Sequence, residues 1–160
     1  AQLRDDAMAE ILLDVVDKTP KPSRIVFLAH NGHVSKAPRE VPDERFVGAL
    51  RPAGIALARS LGRSYLALGL CCGVGSIREG RRMIPLPDLD PASLDGLLAS
   101  VGLPCFGVDL RSLEGEARAT MQEARPQRYE ATVEPVRPAV AYDALAFVDR
   151  VHPTTPRMPE

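Results

Sequence analysis

Tryptophan is absent from this 160-residue chain, and aromatic residues make up only 4% of it. A surface that stacks unpaired bases needs aromatic rings, so a single-strand nucleic-acid module is disfavoured. The formal net charge is −1, which supplies no overall field for nucleic acid or an anionic membrane. Lysine is confined to Lys18, Lys21 and Lys36, leaving arginine to carry the positive charge. Cys71, Cys72 and Cys105 contain no Cys-x-x-Cys. Adjacent cysteines rarely bond each other, so neither a disulfide framework nor a zinc site is signalled, and a reducing cytoplasm is expected. No apolar run approaches the roughly 20 residues of a membrane span, and no secretory signal is visible. The Walker pattern and Gly-x-Ser-x-Gly are both missing, which removes the ordinary nucleotide-binding loop and the ordinary serine hydrolase. The chain opens on Ala1 rather than Met, with a helix starting almost at once, and reads as a cut piece or a processed product.

What is present suits a soluble globular domain: 45% hydrophobic and 26% charged residues. Apolar residues at Leu3, Ala7, Met8, Ile11, Leu12, Val15 and Val16 predict a first helix over residues 3–17. Strands are predicted at residues 24–29, 64–71 and 104–110, and further ones at 129–136 and 144–151. Helices are predicted at 52–61 and 93–101, with a weaker one inside 111–123. Residues 36–43 and 79–90 read as loops, and 73–76 as a glycine loop. This alternation predicts one α/β domain over residues 1–150, a mainly parallel sheet with helices packed against it, and a proline-rich tail at 151–160.

The chemistry-bearing stretch is His30-Asn31-Gly32-His33, which directly follows the apolar run 25–29 and holds two of the three histidines. Open α/β sheets place their chemistry past the carboxyl ends of strands, and imidazole trades protons near neutral pH. Three uses are open: acid/base work, ligation of a metal by His-x-x-His, or a plain Asn-Gly turn. Gly73-Val74-Gly75 follows a strand, but the dinucleotide pattern needs a glycine where Arg78 stands, so a permissive turn beside a crevice is the better reading. Arg78, Arg81 and Arg82 read as solvated surface, with recognition of an acidic group as the alternative. Asp143, before the last strand, is placed either to orient a histidine or to close a turn.

Taken in order, these pieces resemble the erythromycin esterase family, which includes proteins labelled as succinoglycan biosynthesis enzymes. The resemblance is carried by Arg4-Asp5-x-x-Met8-Ala9, by the strand 25–29 with His30-Asn31-Gly32-His33-Val34, by 57–62, 65–69 and Gly73-x-Gly75, by Ser93-Leu94 and 106–111, and by the closing 142–148 with Thr155-Pro156. Ile11 stands where the family usually has asparagine. Family members are considerably longer, and the resemblance covers their carboxyl-terminal part. It implies an erythromycin-esterase-like fold, incomplete in this chain, and hydrolysis of an ester or macrolide lactone with no required metal or cofactor. It further implies His30 and His33 as catalytic residues, and Arg4, Asn31 and Gly32 as substrate-binding residues. The expected partners are a small-molecule ester or lactone and the amino-terminal part of the same protein, which carries a further histidine and acidic residues; nucleic acid and membrane are not expected. The competing readings are a non-catalytic binding or assembly piece that keeps the fold, and a metal-dependent hydrolase using His30 and His33. An apolar surface is expected where the earlier part would dock.

Overall fold

The computed structural model describes residues 2–40, 49–79, 82–129 and 132–153. Helix α1 (Gln2–Lys18) forms where the helical spacing places it, with Asp5 and Ala9 buried on one face. Residues 24–29 then run extended. Phe27 and Ala29 turn toward the core, while Val26 and Leu28 are 81% and 87% exposed. The alternation is that of a strand, yet no strand pairs with this segment among the described residues. The predicted first strand is therefore a strand in shape only: a ladder needs a neighbour's N–H and C=O groups, and none is aligned with it.

The histidine segment winds into the one-turn helix α2 (Asn31–Val34). Helix α3 (Ala53–Leu61) follows Pro52 and stops at Gly62, where a 3₁₀ turn leads into strand β1 (Leu68–Glu79). Next come β2 (Arg82–Pro85), α4 (Leu94–Ala99), β3 (Cys105–Asp109), α5 (Gly115–Gln122), β4 (Arg125–Tyr129), β5 (Thr132–Val136), α6 (Pro138–Ala141) and β6 (Ala144–Val151). The main sheet has the order β2-β1-β6-β3, and β4 with β5 forms a separate hairpin.

The α/β layering is as expected, but the sheet is mixed rather than mainly parallel. Only β1 and β6 run parallel; β2 is antiparallel to β1, and β3 to β6. With only two residues between them, β1 and β2 are too close in the chain for a crossover connection and pair antiparallel. Between β3 and β6 the chain passes through α5, the β4–β5 hairpin and α6, and re-enters the sheet in the opposite direction. The segment expected to be irregular after residue 79 thus holds a strand, and the strand expected over 129–136 is the end of β4 and all of β5. Gly73 and Gly75 lie inside β1 rather than in a loop. A Cβ would stand 2.2 Å from the Asp149 carbonyl oxygen at the first and 2.0 Å from that of Val151 at the second, where φ is +134°. These glycines let β1 approach β6, and the phosphate-turn reading has no turn to rest on. Of the expected loop at 36–43, residues 41–43 lie outside the described residues, as do Arg81 and residues 154–160 of the tail.

The core sits on one face of the sheet: Ala67, Cys71, Leu145, Phe147 and Tyr142 pack with Leu94, Leu98, Leu110 and Met121. Along β1 and its approach the opposite side chains are bare, with Leu66, Leu68 and Leu70 at least half exposed. The accessible surface is 10933 Å², whereas a compact monomer of this mass exposes about 7,800 Å². Among the described residues no helix is long and apolar enough to cross a membrane.

Burial has a measurable consequence for the thiols. Cys71 is buried and accepts a hydrogen bond from Gln127 Nε2 at 3.4 Å, while Cys105 is exposed. Burial pushes the Cys71 thiol far up, and the nearby Asp95 carboxylate adds to the effect. Only a thiolate alkylates readily, so iodoacetamide at mild alkaline pH is expected to label Cys105 first and Cys71 only on unfolding. Equal labelling of both, read by peptide mass mapping, would count against this packing.

Candidate active site

The site is built on α2. His30 is its N-cap: the ring Nδ1 accepts the Gly32 N–H at 3.2 Å. Asn31 ties the turn to the sheet, donating from Nδ2 to the Leu70 carbonyl at 2.6 Å and accepting the Leu70 N–H at 2.8 Å. Its amide therefore acts as a strand partner to β1. His33 points back to α1. Its Nδ1 lies 2.8 Å from Asp5 Oδ1, and its Nε2 lies 3.0 Å from Arg4 Nη2. Asp5 Oδ1 also accepts the Ala53 N–H at 3.0 Å, so the carboxylate is fixed at the start of α3. Gln2 completes the junction by bonding the backbone N–H and C=O of Arg51.

These contacts bear on the tautomers. Arginine only donates, so in a neutral His33 ring Nε2 is the acceptor facing Arg4 and Nδ1 carries the proton facing Asp5. In His30 the lone pair on Nδ1 is used by Gly32, which places the proton of its neutral ring on Nε2. The two rings stand 6.5 Å apart, edge to face at 72°.

Gly32 makes room for a third group. A Cβ there would lie 2.2 Å from Arg39 Nη1. The Arg39 guanidinium is gripped by Glu134 through two bonds of 2.9 and 2.6 Å, and stacks 4.7 Å from the centroid of the Tyr129 ring. Tyr129 in turn packs against His30, ring centroids 5.3 Å apart. Its hydroxyl is paired with that of Tyr142 at 3.1 Å, and burial pushes the Tyr129 phenol up, so it stays protonated near neutral pH.

The structure thus gathers His30, His33, Arg4 and Gly32 at one place and adds Asp5, which the sequence named only as part of the Arg4-Asp5 motif, together with Arg39, Glu134 and Tyr129, which it did not single out. Asp5 carried a signal: it shares the helical stripe with Ala9, Leu12 and Val16, and a carboxylate on an apolar stripe needs a partner. Arg39, Glu134 and Tyr129 are brought in by tertiary folding and gave no local sign. Asp143 does not orient a histidine. It accepts the Ala67 N–H at 2.8 Å and pairs with Lys36 at 2.8 Å, closing the approach to β6; the orienting role falls to Asp5. Arg78 and Arg82 are exposed on the β1–β2 hairpin, as a solvated surface would have them, and His152 is exposed near the chain's end. Among the described residues no three His, Cys, Asp or Glu side chains gather as metal ligands do.

Helix α3 packs directly on the histidine turn. A Cβ at Gly54 would stand 2.2 Å from the Val34 carbonyl oxygen and 2.4 Å from that of Ser35. Gly54→Ala must lift α3 and, with it, the Ala53 N–H that holds Asp5. A destabilisation of about 1–3 kcal/mol is expected from such overpacking, seen as a lower urea midpoint; an unchanged midpoint would contradict the contact.

A family model described as erythromycin esterase matches residues 1–151. No curated protein matches the chain. Among solved structures it is similar to a succinoglycan biosynthesis protein, with TM-score 0.79 and 19% identity over 94% of this chain and 38% of that one. A histidine-to-asparagine variant of the erythromycin esterase EreC, in its open conformation, is similar with TM-score 0.69 and 19% identity over 93% and 37%. A protein from Bacillus cereus gives TM-score 0.63 and 24% identity over 77% and 32%. At these identities the likeness is one of fold, and the chain spans between 32% and 38% of the length of these structures.

Proposed function

The chain belongs to the erythromycin esterase family, and from that premise we propose that it forms part of a hydrolase that cleaves an ester or macrolide lactone by histidine-assisted attack of water. The observation that supports this most is the histidine turn itself. One imidazole is locked between a carboxylate and a guanidinium, and a second stands 6.5 Å away against a buried tyrosine. Such an arrangement offers oriented N–H groups where an ester carbonyl develops negative charge, the usual means of lowering the barrier to acyl transfer. His30 and His33 line the proposed site, with Arg4 and Gly32 beside the substrate. The proposed setting is the cytoplasm.

The proposed partner is the earlier part of an esterase of this family, packed on the bare face of Val26, Leu28, Leu66, Leu68 and Leu70. Two observations support it: each of these apolar side chains is at least half exposed, and the similar structures are more than twice as long. Residues 1–160 alone are expected to self-associate, because an uncovered apolar face and an unpaired extended segment both seek partners. Sedimentation velocity checks this, and a clean monomer across a tenfold concentration range would argue for a self-sufficient domain.

Hydrolysis of a macrolide and of an activated phenyl ester, measured on this chain alone and on the chain joined to that earlier part, tests the function. Activity is expected only from the joined protein and is expected to survive EDTA. Loss with chelator and recovery with zinc would replace this reading by metal-dependent hydrolysis.

A further inference from the structure

We propose, building on the ester reading of the site, that His33 is a positioning residue and that the group it positions, the Arg4 guanidinium, is the catalytic donor to the oxygen that becomes negative during attack. The argument starts from proton inventory. A neutral imidazole has one N–H and one lone pair. In His33 the N–H goes to Asp5 at 2.8 Å and the lone pair accepts from Arg4 at 3.0 Å. No N–H remains to stabilise an oxyanion, and no lone pair remains to take a proton from water. A second proton on the ring would set an N–H against the Arg4 N–H, donor against donor.

Arg4 is in the opposite position. It carries five N–H donors, and the bond to His33 uses one. It is exposed, lies one residue before the buried Asp5, and belongs to the turn of α1 that Gln2 and Asp5 pin to α3. The chain Asp5–His33–Arg4 converts a flexible surface arginine into a fixed one, and a donor fixed beforehand spends no free energy on reorganisation during reaction. In the step itself the water oxygen bonds to the carbonyl carbon. The π pair moves onto the carbonyl oxygen, which Arg4 hydrogen-bonds without giving up a proton. The water's proton passes to a general base other than His33 and on to the leaving alkoxide as the carbon–oxygen bond breaks and the π bond re-forms.

Long-range ¹H–¹⁵N spectra of histidine-labelled residues 1–160 at neutral pH test the positioning directly, without any substrate. His33 is expected as the Nδ1–H tautomer, with an Nε2 resonance that moves on Arg4→Ala. An Nε2–H tautomer, or protons on both nitrogens, overturns the proposal. In the joined protein, Arg4→Ala is expected to lower kcat by about 10²–10³, as loss of one oxyanion donor does, with partial recovery in Arg4→Lys. His33→Gln keeps an acceptor oxygen but has no basic nitrogen, and is expected to hold much of the activity that His33→Ala loses, with an unchanged pH–rate profile. The Arg4→Ala/His33→Ala double variant is expected to be no worse than the poorer single, since the two act as one unit. A His33→Gln as poor as His33→Ala, or multiplying losses in the double variant, overturns the assignment. A joined protein that cleaves no ester removes Arg4's catalytic part together with the ester reading, and the spectra then still decide whether Asp5, His33 and Arg4 are linked as described.

Discussion

Replacing His30 by alanine is expected to lower kcat/KM for ester cleavage in the joined protein by about 10²–10⁴ while the fold survives. The loss corresponds to about 2.7–5.4 kcal/mol of transition-state stabilisation. His30 is exposed, sits at the N-cap of the one-turn helix and packs on Tyr129. The cap bond to Gly32 is 3.2 Å long, and removing an N-cap side chain typically costs about 0.5–2 kcal/mol, against a total stability of about 5–15 kcal/mol for a domain. Circular dichroism and the unfolding midpoint should therefore change little while the rate collapses. A variant that folds and retains wild-type turnover would remove His30 from the chemistry. His30→Asn sharpens the test, because asparagine is as good an N-cap as any residue: it restores the cap and should not restore the rate.

The division between what the sequence announced and what it hid follows from range. Helix α1, helix α3 with its terminal Gly62, and β6 were legible because each is specified by its own periodicity and end signals. The histidine turn was legible as a candidate site because its histidines are rare in this chain and two of the three lie within four positions. The strand directions were not, since direction depends on the end of the sheet at which the chain re-enters, and residues 111–143 carry two helices and a hairpin before it does. Gly73 and Gly75 looked like a turn because glycine marks both turns and close strand contact, and only the position of β6 separates the two. The partners of the site escaped for the same reason. Glu134 meets Arg39 across 95 residues, and Tyr129 meets His30 across nearly a hundred. Asn31 read as a turn residue and, by resemblance, as a substrate-binding one; its bonds to Leu70, 39 residues away, were not legible.

The second large effect concerns the connection that carries Tyr129 and Glu134 to the site. Asp95→Asn is expected to destabilise the protein by about 3–5 kcal/mol, the usual cost of stranding one member of a buried ion pair. Asp95 and Arg128 have side chains only 3% and 5% exposed and stand 3.8 Å apart. Asp95 Oδ1 accepts the Cys72 N–H of β1 at 3.3 Å, and Oδ2 accepts the Arg128 N–H of β4 at 3.0 Å. The Arg128 guanidinium bonds the carbonyls of Cys72, Gly73 and Pro87, the last at 2.7 Å. One carboxylate and one guanidinium thus sew the β4–β5 hairpin to the main sheet. Asparagine preserves the shape and one acceptor but leaves the guanidinium's charge uncompensated, and Arg128 Nε already has no hydrogen-bond partner among the described residues. Arg128→Met strands the opposite charge, though Asp95 keeps its two backbone donors, so a smaller loss is expected. In the double variant no unpaired charge remains, and its destabilisation should fall well short of the sum of the singles, a coupling within the 0.5–3 kcal/mol typical of contacting pairs. Urea unfolding of the four proteins measures the cycle, and strict additivity would mean that the two side chains do not act as a pair. Because Tyr129 directly follows Arg128, loosening this seam should also release Tyr129 from His30. The His30 ring signals should then broaden in the Asp95→Asn spectrum under conditions where the protein is still folded.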